Sequence, residues 1–471
     1  MLDYKVKIGI APVRRIMGDK VNGPWNHASA KKAKDYLVPY IIKNFSLDKV
    51  EFIDLEWFND EGLMFEYNHA LPISKKFRQE EIDGLFIINC NFGEEEVAAK
   101  LAQLMNVPTL IWAPLDTGLG ADGVRMTDSQ CGLFATSKLM QRMGITFSHI
   151  ENCLVEDELF ASEFKDFLAV TCMMKNWKTM RILQLGVRPK PFTSMIYNES
   201  ELMEKFGIEI MPYTTALAVQ KFEEIWKTKQ DVLKADVALL KKRYKLGEGV
   251  TEELMLRSSC VTELYRELID ETECSFLCAE TGFQWLTSMG TGSNLAIGVI
   301  NSEKRVVPYE TDMLGGITMC LLDCATMGGE YPYFGEFTIR HPSNKNAELI
   351  WHGGNFPYET ADPSIHEPYI SANGTRMSSN FEVGRGTATI ARLDAIGGKY
   401  SMLLGTYEGV EGPFTTGTYV WGEFKDWSKW EKATIYGPYV HHMAEIRTDV
   451  VRRVKEFCRY AGITADCPDE R

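Results

Sequence analysis

Four residues in the second half of the chain carry the donor types of a catalytic metal centre. They are Glu310 in Tyr309-Glu310-Thr311-Asp312, Glu336 in Phe334-Gly335-Glu336-Phe337, His352 in Trp351-His352-Gly353-Gly354, and His442 in His441-His442. Two carboxylates with two neutral imidazoles suit a Mn²⁺-type ion that keeps positions open for a substrate. The carboxylates are also able to move protons. Together these are the parts required to interconvert an aldose and a ketose through an enediolate, with a cation stabilising the charge on oxygen.

Each residue also has a plainer reading. Glu310 precedes an apolar helix pattern over Met313–Met327, where a carboxylate serves as a cap or dipole partner. Glu336 lies between a glycine and an aromatic residue, and burying it unpaired is costly. The glycines after His352 permit unusual backbone angles and close ligand approach. Only one of His441 and His442 is expected to face a given site. The pair is expected in an exposed position, opening a closing helix over His442–Tyr460. His69, His149, His341 and His366 have no comparable neighbours, and His27 beside Trp25-Asn26 is a candidate pocket residue. There is no HExxH and no P-loop, and Gly9-Ile10-Ala11-Pro12 after the first strand lacks the GxGxxG spacing of a dinucleotide fingerprint.

The elements that must hold these residues follow from periodicity. Buried strands are predicted at Val6–Ile10, Val50–Leu55, Leu85–Cys90 and Thr109–Trp112, with helices at Lys31–Asn44, Glu94–Met105, Cys131–Met143 and Phe160–Asn176. That alternation implies crossover units and a mostly parallel sheet. The pattern restarts with a strand at Arg181–Leu185, a helix at Ser200–Phe206, a strand at Ile208–Met211 and a long charged helix over Thr215–Arg243. Residues 251–330 read as helical with glycine-rich loops. From about 331 the texture turns to β, with strands at Leu349–His352, Ala388–Leu393, Lys399–Glu408 and Thr418–Glu423. The fold class expected is α/β: two parallel-sheet, Rossmann-like α/β domains (1–178 and 179–330) followed by a β-rich C-terminal domain (331–471). No tandem repeat or low-complexity linker separates them.

The bulk properties bound the function. A chain of 471 residues exceeds one ordinary core. Its 45% hydrophobic and 25% charged content is that of a soluble globular protein. A net charge of −14 argues against binding along a nucleic-acid backbone. The 11 cysteines lie in apolar stretches without CxxC spacing, as expected of buried thiols in a cytoplasmic protein. The N-terminus shows no signal-peptide pattern, and no apolar run approaches the roughly 20 residues that span a bilayer.

With these residues in view, the chain resembles the L-fucose isomerase / L-arabinose isomerase superfamily over nearly its whole length. The likeness is carried by Lys7-Ile8-Gly9-Ile10-Ala11-Pro12-Val13, by Gln130-Cys131-Gly132-Leu133 with Arg142-Met143-Gly144-Ile145, and by Arg181 through Pro189. Its most specific pieces are Gly282-Phe283-Gln284, Tyr309 through Gly316, and Phe334-Gly335-Glu336. The resemblance implies that Glu310 and Glu336 hold Mn²⁺ (with Co²⁺ or Mg²⁺ as substitutes) and carry the catalysis. It implies His442 as the C-terminal ligand and His352 as the added ligand of the arabinose branch. Gln284 matches a substrate-contacting glutamine of the fucose branch, and His441 joins it as a substrate-binding candidate. The resemblance further implies a homo-oligomer, trimer or hexamer, in which the first domain covers a neighbour's site.

The sequence departs from the fucose branch at two contacts. Ala11 stands where that branch has an arginine, and Cys90-Asn91-Phe92 stands where it has a tryptophan. Arg14, Arg15 and Trp25 lie just downstream and form a candidate replacement set, although two adjacent arginines are as often a solvated surface pair. An anionic sugar such as sulfoquinovose would want such a cluster, and Arg188 and Lys190 are further candidates. A non-catalytic sugar-binding protein on the same architecture is the reading of another class. Keeping all the ligand candidates speaks against it.

Overall fold

Short, buried strands separated by helices build the N-terminal part of the chain. In order these are β1 (Val6–Val13), α1 (His27–Phe45), β2 (Val50–Ile53), α2 (Ala70–Gln79), β3 (Gly84–Asn89), α3 (Glu95–Met105), β4 (Thr109–Trp112), α4 (Ser129–Arg142), β5 (Ser148–His149) and α5 (Glu158–Lys178). The computed structural model describes residues 1–17, 25–116, 118–120, 123–281 and 285–470. Gln284 therefore lies outside the described residues.

These residues form two compact units, one of 3–175 with 459–461 and the other of 1–2, 176–458 and 462–471. In the first unit the sheet is parallel with strand order β2-β1-β3-β4-β5. Every residue of β3 and β4 is buried, as strands covered on both faces must be. Phe45, Phe86, Trp112, Phe160 and Phe164 pack ring against ring beside the sheet.

The second unit begins with β6 (Arg181–Leu185), α6 (Glu199–Phe206), β7 (Glu209–Tyr213), α7 (Thr215–Thr228), α8 (Gln230–Arg243), β8 (Lys245–Leu246), α9 (Glu252–Thr272) and β9 (Phe276–Ala279). Strands β7-β6-β9 make a small parallel sheet. Then come α10 (Trp285–Ser288), α11 (Asn294–Ser302), α12 (Met313–Ala325), β10 (Tyr333–Arg340), β11 (Ala347–His352), β12 (Tyr369–Asn373), β13 (Arg376–Glu382), β14 (Thr387–Ile396), β15 (Lys399–Val410), β16 (Thr418–Glu423), α13 (Trp427–Tyr436), β17 (His442–Ile446), α14 (Val451–Ala461) and β18 (Thr464–Asp466). The larger sheet runs β18-β15-β14-β17-β10-β11-β16-β13-β12-β8. An extra pairing of β15 with β16 closes β15, β14, β17, β10, β11 and β16 into a barrel.

Three local expectations are corrected. The helix expected over Thr215–Arg243 is two helices, because Lys229 leaves helical geometry (φ −115°, ψ 30°). There its ammonium meets Glu263 (2.8 Å) and Glu267 (2.6 Å) on α9. The stretch 251–330 hides strand β9, whose four buried residues are too few for periodicity to tell strand from helix. Most consequential, His442–Ile446 is a strand and not the start of the last helix. It pairs with β10 on one side and β14 on the other, and all five residues are buried.

The alternation of side chains across a strand sorts the barrel residues. Tyr333 opposite Glu445, and Glu445 opposite Ile390, face inward with Ile350, Leu403, Tyr407, Val420 and Met443. The other face carries Phe334, Glu336, His442, Ala444 and Leu393, with α12 lying against it. Helix α12 is buried along its entire length, as an all-round apolar helix must be. Its first turn approaches so closely that a Cβ on Gly315 would stand 2.4 Å from the Phe334 ring.

Candidate metal centre

Glu336 and His442 are direct cross-strand partners on the outer face of β10 and β17. Glu310 comes from the loop that leads into α12. The three side chains meet: His442 Nε2 lies 3.3 Å from Glu310 Oε2 and 3.6 Å from Glu336 Oε2. His441 Nε2 approaches Glu336 Oε2 from the more exposed side at 3.3 Å. His442 is fully buried, whereas the His441 side chain is 43% exposed, so the expectation of an exposed pair holds for His441 alone.

The backbone that presents Glu310 is unusual. Glu310 and Thr311 are consecutive non-glycine residues at φ +60° and +58°. Such angles each cost about 1–3 kcal/mol and persist only where surroundings enforce them. Thr311 Oγ1 reaches the carbonyls of Ala279 (3.2 Å) and Val187 (3.4 Å), tying the loop to the ends of β9 and β6. Asp312, not Glu310, caps the helix, accepting the Gly315 N–H at 2.8 Å.

His352 ends β11 and is buried between the rings of Tyr309 (4.3 Å between centroids) and Phe334 (5.9 Å). Its Nδ1 accepts the Gly353 N–H at 2.9 Å. The turn beyond it is held by Asn294 Nδ2 donating to Gly353 O at 2.7 Å. Gly354 stands at φ +90°, where a Cβ would fall 2.6 Å from Ser379 O.

Two observations fit this site to a cation. His442 Nε2 and His352 Nε2 are both buried with no hydrogen-bond partner. The ligand atoms of Glu310, His352 and His442, and of Glu336, His441 and His442, lie within 4.8 Å of one another in each set. His442 Nδ1 is engaged by Asp312 Oδ2 at 2.9 Å, which directs Nε2 toward the two glutamates. That carboxylate–histidine pairing is how proteins orient a ligating imidazole. His352 offers its lone pair at Nε2 only if its proton sits on Nδ1, which means giving up the Gly353 contact.

The protonation states carry the same message. Burial disfavours a charged His442, but the bond to Asp312 and the nearby carboxylates of Glu310 and Glu336 outweigh it and raise its pKa to about 10. Without a metal, a proton thus supplies the positive charge that three carboxylates demand. Burial pushes Glu336 up, and the bonds from His441 and His442 more than reverse this, holding it well below the usual carboxylate range. Asp312 is likewise held low against its burial, by the charge of Arg392 and by His442. Burial drives His352 down to about 3, so this imidazole is neutral.

The other sequence candidates fall in different places. Arg188 follows β6 in the loop that Thr311 binds through Val187, beside the Glu310 turn. Its Nη1 donates to the carbonyls of Pro189 (3.0 Å) and Lys190 (3.4 Å). Arg14, Arg15 and Trp25 belong to the first unit. Arg14 is buried, forked onto Glu61 (2.6 and 2.8 Å) and laid over the Phe65 ring, so it is no solvated surface residue. Arg15 lies 3.5 Å from Glu94 and over the Phe92 ring, and Trp25 donates to Asp128 at 3.1 Å.

Sequence reasoning passed over Arg392 and Asp394, which extend the site behind Asp312. The signal was present: both interrupt an apolar strand at a spacing of two residues, so both lie on one side of it. Among the described residues no helix is long and apolar enough to cross a membrane, and all 11 cysteines are free.

No curated protein matches the chain. The metal-centre residues lie outside residues 23–178, which a family model matches. Residues 23–178 match the family described as Fucose/sulfoquinovose isomerase, N-terminal domain, and over that segment the chain is similar to that family.

Proposed function

We propose that the protein is a metal-dependent aldose–ketose isomerase. One observation carries this reading: Glu310 and Glu336 converge on the unpartnered Nε2 of a buried histidine whose other nitrogen is already fixed by Asp312. Binding a sugar needs no two carboxylates gathered at one buried histidine, whereas proton transfer next to a carbonyl makes direct use of them. The family match over 23–178 supports a sugar isomerase independently, because it rests on other residues.

Glu310, Glu336 and His442 would hold the ion, with His352 as a fourth ligand once its proton moves to Nδ1. Mn²⁺ suits this mixed oxygen and nitrogen set, and Co²⁺ or Mg²⁺ would substitute less well. Bound there, a divalent cation would polarise the two sugar oxygens at C1 and C2. The chain's own residues do the rest. One of the two glutamates takes the proton from C2 and a proton is returned to C1, while the other glutamate carries the O2 hydroxyl proton to O1. Glu336 is held ionised by its histidines and so has no proton to supply at the outset. His441, on the more exposed side, is placed to bind a sugar hydroxyl. Tyr309 and Phe334 wall the centre with apolar surface and limit water.

An anionic sugar is the second reading. The matching family's description includes sulfoquinovose isomerase. Arg188 is the sequence candidate to test in this unit, since it follows Val187, whose carbonyl Thr311 contacts, and among the described residues its guanidinium bonds only the carbonyls of Pro189 and Lys190. Arg14 and Arg15 are already paired with Glu61 and Glu94. The test is a panel of neutral aldoses, deoxy sugars and 6-sulfonated sugars incubated with Mn²⁺-loaded protein, with ketose followed by NMR. Turnover of some aldose is expected. If the sulfonated sugar is preferred, Arg188→Met raises its KM far more than that of a neutral analogue. An absence of ketose from the whole panel overturns the isomerase reading.

A further inference from the structure

Behind His442 stands a continuous chain of buried charge. His442 Nδ1 meets Asp312 Oδ2 at 2.9 Å, and Arg392 Nη1 meets the same oxygen at 2.5 Å. Arg392 Nε then meets Asp394 Oδ2 at 3.1 Å. Asp394 is anchored in turn, with Oδ1 accepting the Ala395 N–H at 2.9 Å and Oδ2 accepting the Val440 N–H at 3.4 Å. The side chains of Arg392 and Asp312 are each 1% exposed. A fully buried arginine is a large desolvation penalty that a barrel strand could avoid with any apolar residue. Its presence calls for a reason.

The donor inventory supplies one. A neutral histidine carries its proton on either nitrogen, and an aspartate beside it could be a protonated donor or an ionised acceptor. Arginine has donors only and does not lose its proton. Because Arg392 donates to Oδ2, that oxygen is kept an acceptor, and the bond to His442 must then run from Nδ1–H to Asp312. The lone pair of a neutral His442 is thereby confined to Nε2, the atom that faces Glu310 and Glu336. Asp312 is also locked in orientation, since its Oδ1 caps α12 through Gly315.

We propose that Arg392 is the positioning residue of the metal centre: buried between Asp312 and Asp394, it fixes which nitrogen His442 presents, without touching ion or substrate. The proposal deepens the metal-isomerase reading and rests on it. It differs from a purely structural role in a way that can be measured. A glutamine at this position would still reach Asp312, but its amide offers an acceptor as well as donors, so both tautomers of His442 become available. A lysine keeps the fixed charge and the donor-only character.

The test is Mn²⁺ binding to the metal-stripped full chain by calorimetry, together with metal-free thermal unfolding, for wild type, Arg392→Gln and Arg392→Lys. Outer partners of ligating histidines are typically worth about 10–100-fold in metal affinity. Arg392→Gln is therefore expected to weaken Mn²⁺ binding by about that factor, and Arg392→Lys to remain much nearer to wild type. A folded Arg392→Gln with wild-type affinity overturns the proposal, whatever its melting temperature. If Arg392→Gln does not fold, Asp394→Asn tests the same link, because it loosens the hold on the guanidinium while leaving it in place. A measurable loss of Mn²⁺ affinity is expected there, and unchanged affinity overturns the proposal. Failure of the wild type itself to bind Mn²⁺ removes the metal reading and the role of Arg392 with it. Binding by the wild type and equally by Arg392→Gln removes only the latter.

Discussion

Asp312 Oδ2 lies 2.9 Å from His442 Nδ1, and the two residues are 130 positions apart in the chain. This one bond joins the helix-leading loop to the barrel strand and turns His442 Nε2 toward both glutamates. Asp312→Asn should weaken Mn²⁺ affinity about 10–100-fold, because an amide is able to donate to Nδ1 and reverse the tautomer. Asparagine caps helices as well as aspartate does, so α12 should remain and circular dichroism should be unchanged. Unchanged affinity in a folded Asp312→Asn protein would count against the orientation of His442 described above.

The adjacent histidines should separate sharply. His442→Ala removes the buried imidazole that faces three carboxylates and should abolish measurable Mn²⁺ binding. His441→Ala, at a 43% exposed side chain, should bind the ion with modest loss and show its main defect in turnover. Calorimetry on both variants checks this, and a greater loss of binding in His441→Ala would reverse the assignment.

Metal affinity should rise with pH. His442 titrates at about 10 when no ion is present, so below that value an ion must displace its proton. The apparent binding constant should then gain about tenfold per pH unit from this group. The metal-free protein should show the opposite trend. A raised histidine pKa stabilises the fold fully below the unfolded value of about 6.5, and that contribution fades as pH climbs toward about 10. Binding and melting measured between pH 6 and 9 test both signs, and a flat binding curve contradicts the proton displacement.

Glu445 offers a test away from the centre. It is fully buried in the barrel, and neither carboxylate oxygen has a hydrogen-bond partner. Burial raises its pKa well above the usual carboxylate range, so the folded state binds a proton that the unfolded state releases. Stability due to this group must therefore fall as pH rises above about 4.3. Glu445→Met should stabilise the protein at pH 8 by about 1–3 kcal/mol, and by less at pH 5. Urea unfolding at the two pH values checks it, and an equal gain at both would contradict the buried acid.

The parts of this structure that were legible in the sequence are those with strong local pattern. The central strands of the first sheet are largely apolar, and the Glu310 and Glu336 segments set an acid among glycines and aromatics. What escaped depends on partners distant in the chain. His-Met-Ala-Glu-Ile over 442–446 has no strand signature of its own, and it becomes one of the central barrel strands because β10 and β14 pair with it. Arg392 looks like a stray surface charge until Asp312, 80 residues away, is placed against it. The left-handed backbone at Glu310 and Thr311 has no glycine to announce it, since tertiary contacts enforce it.

The proton-transfer chemistry itself is most directly tested by running the isomerisation in D₂O. Mn²⁺-loaded protein and an accepted aldose should give ketose carrying deuterium at C1, because the proton passes through Glu310 or Glu336, which exchange with solvent. Glu310→Gln and Glu336→Gln should each lower kcat by at least about 10²–10⁴-fold. Ketose formed without deuterium, at a rate unaffected by either substitution, would contradict two-carboxylate proton transfer at this centre.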